Sequence, residues 1–190
     1  SQQGFSWKDT KFKYQGINYQ SSGILADYKA PSINLELFSE DLSLAADFDL
    51  TGKKIKVNQL KGKYFDSQFL VRGNIDNFDS ADLKIDLGGN INFELGKLAK
   101  MLDKQYPAIK SLQPAGQLEM QFNFNGNPNN FKNCYLQAKF TSSNFSLYGL
   151  NAQGLTLDFL LDQKIARIPD ININFYDGLI QGSGAFNLDT

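Results

Sequence analysis

Apolar residues recur at every second position along most of this chain, and that period decides the fold class. In residues 117–126 Leu118, Met120, Phe122 and Phe124 fall on one side, and Glu119, Gln121 and Asn123 on the other. Side chains alternate between faces only in an extended strand, so the stretch predicts a strand buried on one face. The pattern returns in Ile33, Leu35 and Leu37; in Leu42, Leu44, Ala46, Phe48 and Leu50; in Leu83, Ile85 and Leu87; and in Ile91, Phe93 and Leu95. Later segments carry it too, through Leu136, Phe140, Leu155, Leu157, Phe159, Ile171, Ile173 and Phe175. Turn residues separate them, at Gly88-Gly89, Asn125-Gly126, Asn129-Asn130, Tyr148-Gly149 and Asp177-Gly178. Short strands at hairpin spacing predict an antiparallel meander.

One segment has a different period. Leu95, Leu98, Met101, Leu102, Tyr106, Ile109 and Leu112 are spaced by three and four residues, with Lys97, Lys100, Asp103 and Lys104 between them. That spacing predicts one amphipathic helix over about 96–111, ended or kinked at Pro107, and more readily a cap on the core than a partner site.

Composition narrows the chemistry. The chain has 190 residues and a net charge of −1, without the basic excess of an electrostatic nucleic-acid binder. It contains no His, the commonest general base and metal ligand. Its single cysteine, Cys134, can form neither an internal disulfide nor a thiolate cluster and reads as a packed strand residue. Asp41, Asp47 and Asp49 alternate with leucines and read as a solvated face rather than a calcium site. Gly182-x-Gly184 lacks the following helix and third glycine of a phosphate loop. Lys53, Lys54, Lys56, Lys61 and Lys63 fit either attraction of anionic headgroups or protection of an edge strand. No cofactor and no enzymatic activity are expected. The chain opens SQQGFSW, without Met or a long apolar run, and strand-like patterning persists to its last residues, so a section of a longer protein is expected.

The chain also repeats itself. Gly73, Asn74, Asn77, Phe78 and Leu83 recur as Gly126, Asn127, Asn130, Phe131 and Leu136, an offset of 126 − 73 = 53. Residues 64–76 resemble residues 175–187 in pattern, with Asp66/Asp177 and Gly73/Gly184 at an offset of 184 − 73 = 111. Repeats over about 50–95 and 116–190 flank the helix within a single section, 1–190. Such repetition implies stacked supersecondary units.

The order of strand pair, helix, Pro-x-Gly strand, Asn-Phe loop and glycine hairpin resembles the AsmA-like family of AsmA/TamB-type bacterial envelope proteins. The resemblance rests on GNIDNFDSADLKIDLGGNINFELGKLAKML, PAGQLEMQFNFNGNPNNF and NFYDGLIQGSGAFNL, and covers most of residues 50–190. It implies an elongated, strongly twisted antiparallel sheet curled into an open trough, a partial barrel, with one short helix. It also implies periplasmic location as part of a membrane-anchored protein, envelope membrane proteins as partners, and passage of phospholipids between membranes. The family's amino-terminal anchor is not in this stretch.

The residues themselves point the same way in one respect. One helix cannot cover the apolar face of ten or more strands, so the sheet either closes on itself or holds something apolar. Acyl chains would suit it, at about 0.8 kcal/mol per buried CH₂ and with no polar motif needed. The lining residues would be Leu83, Ile85, Leu118, Met120, Phe122, Phe124, Leu136, Phe140, Leu155, Leu157, Phe159, Ile171, Ile173 and Phe175. An ordinary dry core of the same residues is the competing reading. A structural β-module held in a larger envelope assembly by edge-strand pairing is the alternative function.

Overall fold

The computed structural model describes residues 4–103, 106–130 and 133–188. Lys104 and Phe131, and the side chain of Met101, lie outside that description. The chain is mainly β and forms one twelve-stranded sheet in which every strand neighbours the next in sequence. Six strands come first: β1 (Phe5–Tyr14), β2 (Ile17–Ala26), β3 (Ser32–Phe38), β4 (Leu42–Thr51), β5 (Lys54–Tyr64) and β6 (Ser67–Asp76). Then come β7 (Lys84–Glu94), α1 (Leu95–Leu102), α2 (Ala108–Leu112), β8 (Ala115–Gly126), β9 (Tyr135–Leu147), β10 (Leu150–Asp162), β11 (Ile165–Phe175) and β12 (Gly178–Asn187). The sheet does not close into a barrel: β1 and β12 each pair on one side only. The chain divides into two compact units, Ser1–Gly89 and Asn90–Thr190.

In the first unit, antiparallel register turns the period-two pattern into apolar rows across the strands. Leu25, Ile33, Phe48 and Val57 form one row, and Gly23, Leu35, Ala46, Leu60 and Val71 the next. Only Ala46 and Val57 of these are buried; the larger side chains are half-buried. The hairpin β1–β2 packs Trp7 over Gly23, where a Cβ would lie 2.3 Å from the indole ring, and the Trp7 Nε1–H donates to Ser21 Oγ at 2.9 Å.

Several local expectations change. Gly88 and Gly89 are not a turn but lie inside β7, because the alternation of Leu83 to Leu87 continues in phase into Ile91 and Phe93. Gly89 serves a close approach, since a Cβ there would sit 2.2 Å from the Leu70 carbonyl oxygen. Leu83 precedes β7 rather than belonging to it. The last hairpin turns at Tyr176-Asp177, with Tyr176 at φ 51° and Phe175 paired to Gly178, so glycine does not supply the positive φ there. β5 lies between β4 and β6, so its lysines do not guard an edge. Lys53, Lys54 and Lys63 instead form exposed ion pairs with Asp79, Asp76 and Asp66 at 3.3, 3.4 and 3.5 Å.

In the second unit the segment expected as one helix forms two. Glu94 caps α1, its carboxylate accepting from the Gly96 and Lys97 N–H groups at 3.2 and 2.7 Å. Pro107 stands at the start of α2, where its missing N–H costs nothing. Among the described side chains of α1, Ala99, outside the expected stripe, is the buried one, whereas Tyr106 is 60% exposed. α1 packs beside β8 and is about 12 Å long at 1.5 Å per residue. Strands of 10 to 13 residues run about 33–44 Å at 3.3–3.4 Å per residue, so such a helix covers a small part of one face.

The accessible surface records that shortage of cover. It is 12558 Å², whereas a compact monomer of this mass exposes about 9,100 Å², and two separate compact units of half the mass about 11,000 Å² together. Among the described residues the buried apolar set is Ala46, Val57, Ala99, Cys134, Ala138, Ala152, Leu161 and Ala166, half of it alanines of the sheet. The large apolar side chains stay in partial contact with solvent.

Candidate functional site

Register in the second unit assembles most of the expected lining residues on one face of the sheet. Met120, Phe140, Leu157 and Ile171 are successive partners across β8 to β11. Beside them run Phe124, Leu136, Leu161 and Ala166, while Phe122, Ala138 and Phe159 fill the row between. Leu155 pairs with Ile173, and Leu118 and Phe175 extend the face by the period of two. All twelve of the expected residues here are half-buried, neither sealed nor fully exposed. Leu83 and Ile85 are half-buried as well but belong to the first unit.

The small, buried residues Ala138 and Ala166, together with Leu161, form the floor between the larger side chains, and sequence reasoning did not single them out. Leu161 carried the signal, since it continues the alternation of Leu155, Leu157 and Phe159. The first unit presents an equivalent face through Ile33, Leu35, Leu37, Leu44 and Phe48, whose alternation was legible but which the lining set left out.

The opposite face is polar. Glu119, Thr141, Thr156, Asn172 and Gln181 are partners across β8 to β12, and Gln181 Nε2 donates to Asn172 Oδ1 at 2.6 Å. Asn172 in turn donates to Asp170. An open cleft of about 430 Å³ lies here, lined chiefly by polar side chains such as Gln117, Glu119, Asn172 and Asn174. Strands β8 to β12 therefore present two chemically distinct surfaces, one able to hold apolar matter and one hydrated.

The acidic residues of β4 have a local role. Asn58 is bulged out of the β4–β5 pairing, and its amide donates to Asp47 Oδ1 at 3.3 Å and Asp49 Oδ2 at 2.7 Å. The Asn58 amide, and next the Ser32 hydroxyl, lower the Asp49 carboxyl from its ordinary value. Among the described residues no group of three or more metal-ligating side chains converges. Cys134 is 1% exposed, its thiol donates to the Asn127 carbonyl at 3.0 Å, and burial pushes its pKa up.

Comparison of the chain with family models, with curated proteins and with solved structures gives no match. The site is therefore read from its own geometry.

Proposed function

We propose that this chain is a non-enzymatic, AsmA-like section that binds phospholipid acyl chains along the apolar face of its sheet and supports their transport between inner and outer membranes. The observation that carries the reading is the half-buried row Met120, Phe140, Leu157 and Ile171 with its neighbours, an apolar face that the two short helices leave largely uncovered. A soluble chain gains by filling such a face, and methylene groups fill it without directional demands. An acyl chain that buries ten CH₂ groups gains about 8 kcal/mol before the cost of its own ordering. The polar face stays hydrated, so a headgroup can remain in water while the tail is held. Location in the periplasm, membrane anchoring through another part of the protein, and envelope membrane proteins as partners belong to the same reading.

The test is substitution on the apolar face. Phe122→Glu and Leu157→Glu should abolish co-purification of lipid while circular dichroism keeps the strand signal. Lipid retained at the wild-type level in both variants would contradict the assignment of this face.

A further inference from the structure

We propose that the open edge of β12 is a docking site for an added antiparallel strand with the pattern of β7. The hairpin β5–β6 and the hairpin β11–β12 share one register at an offset of 111. Val57 pairs with Gly73 as Ile168 pairs with Gly184, Leu60 with Val71 as Ile171 with Gly182, and Tyr64 with Ser67 as Phe175 with Gly178. The same bulge interrupts both, two residues facing one, and Pro169 sits in the second bulge, where a missing N–H is tolerated.

The two hairpins differ on their outer side. β6 is followed in the sheet by β7, and a Cβ at Gly73 would lie 2.0 Å from the Asp86 carbonyl oxygen. Gly73 is thus required twice, by its own φ of 142° and by the strand seated on β6. Gly184 holds the equivalent register position, yet nothing lies within 4 Å of the Cβ it lacks, and its φ is one that any residue adopts. Among the described residues nothing calls for a glycine there. A strand seated on β12 as β7 is seated on β6 does.

Edge chemistry agrees. β1, the other edge, carries Lys8, Asp9, Lys11 and Lys13 and a bulge between Trp7 and Thr10, the features that keep edges from pairing. β12 has no charged residue and no proline, the extra residue of its bulge lies on β11, and Leu179, Ile180 and Phe186 are 56%, 52% and 52% exposed. In β7 residues 88–93 are likewise uncharged, with Lys84, Asp86 and Glu94 outside that stretch. Contacts of Gly73 with Asp86 and of Gly89 with Leu70 fix the β7 register and show that the strand runs antiparallel. Transferred by the offset of 111, they place a partner carbonyl over Gly184 and demand a small residue three positions further along the partner, opposite Gln181. The occupant is therefore an alternating apolar strand with a glycine at that point, bound through main-chain hydrogen bonds.

The test uses the full chain and a synthetic peptide with the sequence of residues 83–94. Saturable amide shifts and slowed hydrogen exchange are expected over Leu179–Phe186. Gly184→Val should weaken binding at least tenfold with the melting temperature unchanged, because the chain leaves room for the side chain. On the partner side, a peptide carrying Gly89→Val should bind equally poorly, a result independent of any change in the protein. Absence of binding, wild-type affinity with either substitution, or shifts confined to β1 would overturn the proposal. So would concentration-dependent pairing of β12 between two copies without peptide, since the occupant would then be a second copy.

Discussion

Phe65 and Tyr176 hold the same backbone conformation in two turns that lie 176 − 65 = 111 residues apart: φ is 50° at Phe65 and 51° at Tyr176. Each ring makes an edge contact with the aromatic residue before it, Tyr64 or Phe175, at 4.7 Å between centroids. A non-glycine residue in the left-handed region costs about 1–2 kcal/mol, and an aromatic pair returns about 0.5–1.5 kcal/mol. Phe65→Gly relieves the strain and loses the pair, so it should change stability by less than about 1 kcal/mol. Phe65→Ala keeps the strain and loses the ring, and should cost about 1–2 kcal/mol more than the glycine variant. Urea midpoints of both variants, and of the same pair at Tyr176, check this; alanine matching glycine would contradict it.

Gly73 and Gly184 should respond in opposite ways to a methyl group. Gly73 stands at φ 142° against the Asp86 carbonyl, and Gly126, also at φ 142°, against the backbone of Asn133 and Cys134. Gly73→Ala should destabilise by at least about 3 kcal/mol, while Gly184→Ala should stay within about 0.5 kcal/mol of wild type. Thermal unfolding of the two variants separates these outcomes.

Acid should remove one local contribution of known sign. Asp49 has a folded pKa below its unfolded value, first through the Asn58 amide and then through the Ser32 hydroxyl, against some desolvation and with Lys56 adding a weaker pull. Stability from this carboxylate is thus present above the unfolded value of about 3.9 and lost as pH falls through the lower folded value. In Asn58→Ala the Asp49 titration seen by NMR should move up toward the ordinary value of an aspartate. The stability gap between the variant and wild type should narrow below about pH 4. A gap constant down to pH 2 would contradict the assignment.

Cys134 should be chemically quiet. It is buried, with its pKa raised by burial, so a thiol reagent at pH 8 should label it at least about 100-fold more slowly in the folded chain than in urea. Equal rates would show that this end of β9 opens readily.

The fold class was legible because alternation survives in the strand: Leu118 to Phe124 point to one face in sequence and in structure alike. Turn chemistry was less reliable. Gly88 and Gly89 read as a turn, but both lie inside β7 and the missing side chain of Gly89 serves its approach to β6, and sequence does not distinguish the two uses. Positive φ fell on Phe65, Tyr148, Gln163 and Tyr176, residues with no local preference for it, because the strands on either side impose the turn. The hairpin β1–β2 was hidden by its mixed pattern, since Trp7, Lys8 and Asp9 span a bulge that breaks the alternation. Most of the candidate face followed directly from period two, whereas its alanine floor emerged only once register set Ala138 between Phe122 and Phe159.

Bound lipid tests the central claim most directly. The protein, purified without detergent, should carry phospholipid, seen as adduct masses by native mass spectrometry and recovered by organic extraction. That occupancy should fall to background in Phe122→Glu and Leu157→Glu. Protein that remains lipid-free after incubation with phospholipid vesicles, or that keeps its lipid in both variants, would contradict it.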